Sequence, residues 1–188
     1  MSADVAGFET DRGELREQSG RDVPWPSRIS RAEPYVQEDQ GVTVGFRIHI
    51  IDSQENGVST SDLERLASDI LRNEGRTAAE INIVLVSDAY IKELNAKYRH
   101  IEAETDVLAF GLTPPDSPEV EGEVYISMER VAENAATYGV TPEEELKRMV
   151  AHGVLHLVGY EDQTERQKRE MTKREDYYLS REVRNLGS

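Results

Sequence analysis

Cysteine is absent from the 188 residues. That excludes a disulfide framework, a cysteine-ligated zinc and a thiol nucleophile. Any metal must therefore sit on histidine, aspartate or glutamate. Long apolar runs are also missing, and nothing approaches the ~18 consecutive residues that a membrane helix needs. Residues 1–25 lack the apolar centre of a signal peptide and carry Asp4, Glu9, Asp11, Glu14 and Glu17 instead, so the expected location is cytoplasmic. Positive charge is scarce: 22 Lys and Arg stand against 37 Asp and Glu, for a net charge of -15 and a pI near 4.7. A general basic surface that holds nucleic acid by displacing counterions is thereby excluded. A nucleic-acid substrate would need a local patch, drawn from Lys92, Lys97, Arg99 and the basic residues of 147–174, or contacts supplied by another protein. Acidity at this level also suits a salty cytoplasm, where it keeps proteins soluble.

What is present divides the chain in two. Residues 1–40 mix Ser, Gly, Pro and charges without a sustained period and are expected to form a disordered or loosely attached N-terminal extension. Trp25, between Pro24 and Pro26, is either a docking anchor or an incidental residue of such a tail. Residues 41–188 read as one folded domain, the size a single core supports.

In that domain Val44, Phe46, Ile48 and Ile50 alternate as in a half-buried strand. Leu63, Leu66, Ala67, Ile70 and Leu71 follow at helical spacing, with Ser59, Thr60 and Ser61 ahead and Gly75 as the stop. Residues 81–86 are apolar enough for a central strand. A helix capped by Ser87 or Asp88 turns Ile91, Leu94 and Tyr98 inward and ends near Asn95 and Arg99. Strands over 105–110 and 122–127 come next, then a helix from Glu129 to Tyr138 stopped by Gly139. Thr141-Pro142-Glu143-Glu144-Glu145 is a strong start for a helix that reaches Gly159. Thr164 and Gln167 form a capping box for a last helix, inward on Met171, Tyr178 and Leu179. The pattern gives strand-helix-strand-helix-strand-strand-helix-helix-helix, an α+β class. A small mixed four-stranded sheet covered by about five helices, one of them lining a cleft, is expected in part from the family resemblance described below.

That helix carries the chemistry. Two of only four histidines, His152 and His156, lie four apart and so one above the other on one helix face. Gly159 ends the helix, and Tyr160-Glu161 turns the chain so that Asp162 can return as a third ligand. Two imidazoles and a carboxylate leave a fourth position open, as in a catalytic zinc site. The other reading is that Glu161 or Asp162 only caps the next helix. Gly153 stands where His-Glu-x-x-His peptidases carry their base, so that class is disfavoured. The glycine implies a close approach by another element or by substrate.

The blocks His152-Gly153-x-Leu155-His156-Leu157-x-Gly159-Tyr160, Asn95 to Arg99, Thr105-Asp106-Val107-Leu108-Ala109-Phe110 and Gly122-Glu123-Val124-Tyr125-Ile126-Ser127 together resemble the signatures of the YbeY family of metal-dependent endoribonucleases, also called rRNA maturation factors. Order and spacing agree over roughly residues 42–183. One departure falls at the third ligand, where the family usually ends Gly-Tyr-Asp-His and this chain has Glu161-Asp162. A carboxylate there would make the metal a weaker Lewis acid and raise the pKa of its bound water.

The resemblance implies a single-strand-specific endoribonuclease that uses one zinc ion, or another divalent metal, in maturation of the 3′ end of small-subunit ribosomal RNA and in ribosome quality control. It implies catalytic roles for Arg99, His152 and His156, and metal ligation by His152, His156 and Asp162. It also implies substrate binding by Arg99, Thr105 and Asp106. The implied partners are ribosomal RNA, the small ribosomal subunit, a ribosomal protein and the assembly GTPase Era, with no membrane. From residue chemistry alone, Arg99 is a phosphate clamp or a surface ion pair, and Thr105 and Asp106 line the cleft or pair with backbone. His100 is an exposed helix-end imidazole, an RNA contact or a fourth ligand, and His49 is structural. Two other functions fit the same residues: a non-catalytic ribosome-assembly factor that keeps the fold, and another metal-dependent phosphoesterase.

Overall fold

The structure, a computed structural model, describes residues 35–39, 42–53, 58–99 and 105–185, with side chains described over 45–53, 58–98 and 105–181. The order is β1 (Tyr35–Asp39), β2 (Val42–Asp52), α1 (Thr60–Asn73), β3 (Ala78–Val86), α2 (Asp88–Arg99), β4 (Val107–Gly111), β5 (Glu119–Ser127), α3 (Met128–Tyr138), α4 (Pro142–Leu157) and α5 (Glu165–Asn185). The expected mixed α+β sheet and its four strands are present, in the order β1-β2-β3-β5-β4. β2, β3 and β5 run parallel, and β4 joins antiparallel to β5.

A fifth strand, β1, adds antiparallel to β2 at the edge, with Tyr35 opposite Phe46 and Asp39 opposite Val42. It lies ahead of residue 41, inside the stretch read from composition as a tail. Its sequence, Tyr-Val-Gln-Glu-Asp, carries no alternation, which is how an edge strand reads when one side is left to solvent. Trp25 and His100 lie outside the described residues.

Each helix is held where its apolar stripe meets the sheet. α1 buries Leu63, Leu66, Ala67, Ile70 and Leu71 almost completely, next to Phe46, Ile48 and Ile50 of β2. β3 is buried on both faces over Ile83–Val86, as suits a central strand. Ile81, Ile83 and Leu85 join the larger core with α1 and α4. Val84 and Val86 join Ile91 and Leu108 in a smaller core beneath α2, packed by Tyr90, Leu94, Phe110 and Tyr125.

Tyr98, expected inward, is 51% exposed, and its ring meets the edge of Phe110 at 5.7 Å. By strand alternation His49, between Ile48 and Ile50 of the larger core, faces the other side of the sheet, away from α4. Among the described residues no helix is long and apolar enough to cross a membrane.

Candidate metal centre

α4 is built to present one polar stripe. Thr141 accepts from the Glu144 backbone N–H at 3.2 Å, and the Glu144 carboxylate accepts from the Thr141 N–H at 2.8 Å, a capping box with Pro142 at the first helical position. Leu146, Val150, Val154, Leu155 and Leu157 are buried against the sheet, each contributing about 1.5–3 kcal/mol. That anchor turns positions 145, 148, 152 and 156 toward a different face.

Gly153 makes the packing possible. A Cβ on it would run into the Val124 side chain of β5 and come within 3.3 Å of Val107 of β4. The close approach inferred at this glycine is therefore by the sheet. Position 153 faces that sheet, so no side chain there could serve as the peptidase base.

The two histidines converge. His152 Nδ1 lies 2.8 Å from the Glu175 carboxylate, and His156 Nδ1 lies 2.9 Å from the Tyr160 carbonyl. Both acceptors require an N–H, which assigns the proton to Nδ1 in each ring. The two Nε2 atoms then face each other at 3.0 Å, an arrangement that repels unless a proton or a cation lies between them.

Asp162 Oδ2 is 3.9 Å from His152 Nε2, and one ligand atom each of His152, His156 and Asp162 lie within 4.8 Å of one another. Bonds of about 2.0–2.2 Å in a tetrahedral site place ligand atoms roughly 3.3–3.6 Å apart. The separations of 3.0 and 3.9 Å bracket that value, so the donor set fits a divalent ion. Burial, reinforced by His152, holds the His156 imidazole below its ordinary pKa, which keeps it neutral and able to ligate.

The supports reach well beyond α4. Gly159 adopts φ +102 and turns the chain at the helix end, against Pro115. Arg76 donates to the carbonyls of Val158 (2.8 Å), Pro115 (2.7 Å) and Ser117 (2.6 Å), tying that turn down. Tyr160 is held from both sides: its hydroxyl donates to Glu74 at 3.2 Å and accepts from Arg174 Nε at 2.7 Å. The start of α5 is closed by Thr164 and Gln167, whose side chain accepts from the Thr164 N–H at 2.9 Å. Asp162 is therefore not consumed as the helix cap.

Glu175 is the residue missed from sequence. It is 7% exposed, accepts from His152, and pairs with Arg148 at 3.1 Å. Burial pushes its carboxyl upward, but His152 and Arg148 outweigh that and hold it below its ordinary value. A carboxylate bonded to the far nitrogen of a metal-binding histidine fixes its orientation and raises its basicity. The available signal was the helical stripe Met171–Glu175–Tyr178, a charge at a core position.

A cleft of about 740 Å³ opens beside the histidine pair, with Thr105, Asp106, Asn134, Glu145, Arg148, His152, Asp162 and Glu175 on its walls. Thr105 and Asp106 thus lie in the same cleft as His152. The Thr105 hydroxyl donates to the Val107 carbonyl at 3.1 Å, and Asp106 accepts from Asn134 at 2.9 Å. Arg99 closes α2, with its side chain outside the described residues.

Glu145, read as a first-turn carboxylate, is only 4% exposed, and burial raises its pKa. The basic residues of 147–174 do not gather here. Among the described lining residues the one Lys or Arg is Arg148, paired with Glu175 and Asp176. Lys147, Lys168, Lys173 and Arg174 pair with Glu143, Glu165, Glu170 and Glu74 instead.

A mixed sheet with a His-x3-His helix and a returning aspartate defines a class, an α+β protein whose three convergent side chains could hold a metal ion. Comparison with known proteins narrows it. The family model described as Endoribonuclease YbeY matches residues 49–182. Curated relatives bear that name, three of them as follows. The protein of Flavobacterium psychrophilum is 40% identical over 112 residues, covering 60% of this chain and 79% of its own. That of Carboxydothermus hydrogenoformans is 42% identical over 110 residues (58% and 76%), and that of Pelotomaculum thermopropionicum 39% over 129 residues (65% and 85%). The solution structure of a Thermotoga maritima protein is similar with a TM-score of 0.56 at 31% identity, covering 74% of this chain and 91% of that one. The chain belongs to the YbeY endoribonuclease family, whose members are hydrolases acting on RNA.

Proposed function

We propose that the protein is a zinc-dependent, single-strand-specific endoribonuclease, with one ion held by His152, His156 and Asp162. Its substrate is small-subunit ribosomal RNA, cut in maturation of the 3′ end and in ribosome quality control. The small subunit, a ribosomal protein and the GTPase Era are its partners in the cytoplasm. The observation that carries the reading is the pairing of both Nδ1 atoms, which leaves the two Nε2 atoms facing each other with an Asp162 oxygen near them, beside an open cleft. Family membership supplies the RNA.

A divalent ion bound there supplies Lewis acidity, either to a water molecule or to a phosphoryl oxygen. The chain's own residues do the rest. Glu175 orients His152 and makes it the more basic ligand, and Arg148 keeps Glu175 ionised. The Tyr160 carbonyl sets the tautomer of His156. Arg99, from the family match, would present its guanidinium fork to a phosphate and stabilise charge that develops on it. Thr105 and Asp106, on the cleft wall, would contact the strand.

The test is cleavage of a single-stranded oligoribonucleotide by zinc-supplied wild type and His156→Ala, beside a small aryl phosphodiester. Cleavage of RNA by the wild type alone is expected. RNA bound but never cut would mean a non-catalytic assembly factor, and cleavage of the small ester without RNA would mean another phosphoesterase.

A further inference from the structure

Charge poses a problem at this cleft. Among the described residues, Asp106, Glu145, Asp162 and Glu175 line it against one arginine already paired twice. A phosphate backbone gains affinity where it replaces counterions with Lys and Arg, and this floor offers the reverse. The described walls therefore leave room for a contact to the strand that does not depend on its phosphates.

At the end of the cleft formed by the α3–α4 junction, two side chains are placed against the usual rule. Tyr138 is 69% exposed and Val140 41%, and both line the same cleft as His152. Among the described residues no ring packs on Tyr138. The backbone that carries the ring is fixed. Tyr138 is the last residue of α3, closed by Gly139 at φ +70 and by the Val140 N–H bonded to Ala135 at 3.1 Å. Thr141 then opens α4 with its capping box. From Thr141 to His152 the helix rises roughly 16 Å at 1.5 Å per residue, a distance a single strand spans with a few nucleotides.

We propose that Tyr138, with Val140 beside it, is a nucleobase-stacking subsite for single-stranded RNA, so that the strand lies with a base on the Tyr138 ring and its phosphates turned away from the acidic walls. This rests on the ribonuclease reading above and deepens it. An aromatic platform binds any base, because each has a π-face, and it requires the base to be unpaired. Stacking is also far less sensitive to salt than phosphate contact, which suits a chain with a net charge of -15.

The experiment uses the full-length, zinc-supplied protein and short single-stranded oligoribonucleotides that carry 2-aminopurine at successive positions. Wild type should quench the probe at one position a few nucleotides from the cut. Tyr138→Ala should abolish that quenching and raise KM about tenfold, with kcat within twofold, while Tyr138→Phe should behave as wild type. An unchanged KM and retained quenching in Tyr138→Ala would overturn the subsite and leave the ribonuclease reading standing. Absence of RNA cleavage by wild type would overturn that reading and the subsite with it. Since the ring is exposed, circular dichroism of Tyr138→Ala should match wild type, so a change in KM reports on binding.

Discussion

Replacing Glu175 with glutamine keeps the shape and an acceptor oxygen for His152 Nδ1 but removes the charge. The group is 7% exposed, with its acceptor oxygen 2.8 Å from the imidazole, so solvent screens the interaction little. A hydrogen bond to a charged group contributes about 1.5–3 kcal/mol, against about 0.5–1.5 kcal/mol for a neutral pair. The difference is about 1–1.5 kcal/mol, and the part of it felt only by the metal-bound imidazole weakens the ion by at most roughly tenfold. Glu175→Ala removes the acceptor altogether and should cost up to about 100-fold. Arg148 also pairs with Asp176 at 3.0 Å, a contact that neither substitution touches, so α4 and α5 should stay joined when the charge is lost. The assay is a competition titration of zinc against a chromophoric chelator at pH 7, with thermal unfolding of the metal-free proteins as the control for folding. Dissociation constants within twofold of wild type in both variants would refute the view that Glu175 acts through His152.

Other outcomes follow from the same geometry. Gly153→Ala forces a methyl group into Val124, and overpacking of this kind should lower stability by about 1–3 kcal/mol despite the better helix propensity of alanine; unchanged urea unfolding would refute the tight contact. Glu145 has a pKa raised chiefly by burial, so its folded state favours the protonated form and loses stability as pH rises through the carboxylate range. Glu145→Gln should therefore gain stability at pH 7, with the gain vanishing below pH ~4, and a loss at pH 7 would contradict the sign. Tyr160→Phe removes the hydroxyl that links Glu74 and Arg174 but keeps the carbonyl that holds His156. It should lower stability by about 1 kcal/mol and leave zinc affinity within threefold, as read by the same chelator competition.

The parts of the site legible in the sequence are those set by short-range geometry. His152 and His156 meet because helices repeat every 3.6 residues, and Gly159 and Asp162 follow within one turn and a loop. Capping by Thr141 and by Thr164 is likewise local, and both boxes form as the residue types require. Glu175 was illegible for the opposite reason. It lies 23 residues from its partner, and only the docking of α5 on α4 brings them together. Glu145 looked like a dipole-facing carboxylate because its neighbours Glu143 and Glu144 are exposed, yet the helix turns it into the cleft. β1 escaped because an edge strand of mostly polar residues has no period to read. The acidic character of the cleft was hidden too, because composition counts charges and cannot say that Lys147, Lys168, Lys173 and Arg174 are spent on acids elsewhere.

The central claim is that Asp162 completes a metal site with the two histidines, and the zinc dissociation constant of Asp162→Ala tests it most directly. Loss of one of three protein ligands should weaken binding by about 100-fold or more while His152 and His156 remain. A dissociation constant unchanged from wild type would show that Asp162 is no ligand, and the centre drawn from these three residues would fall.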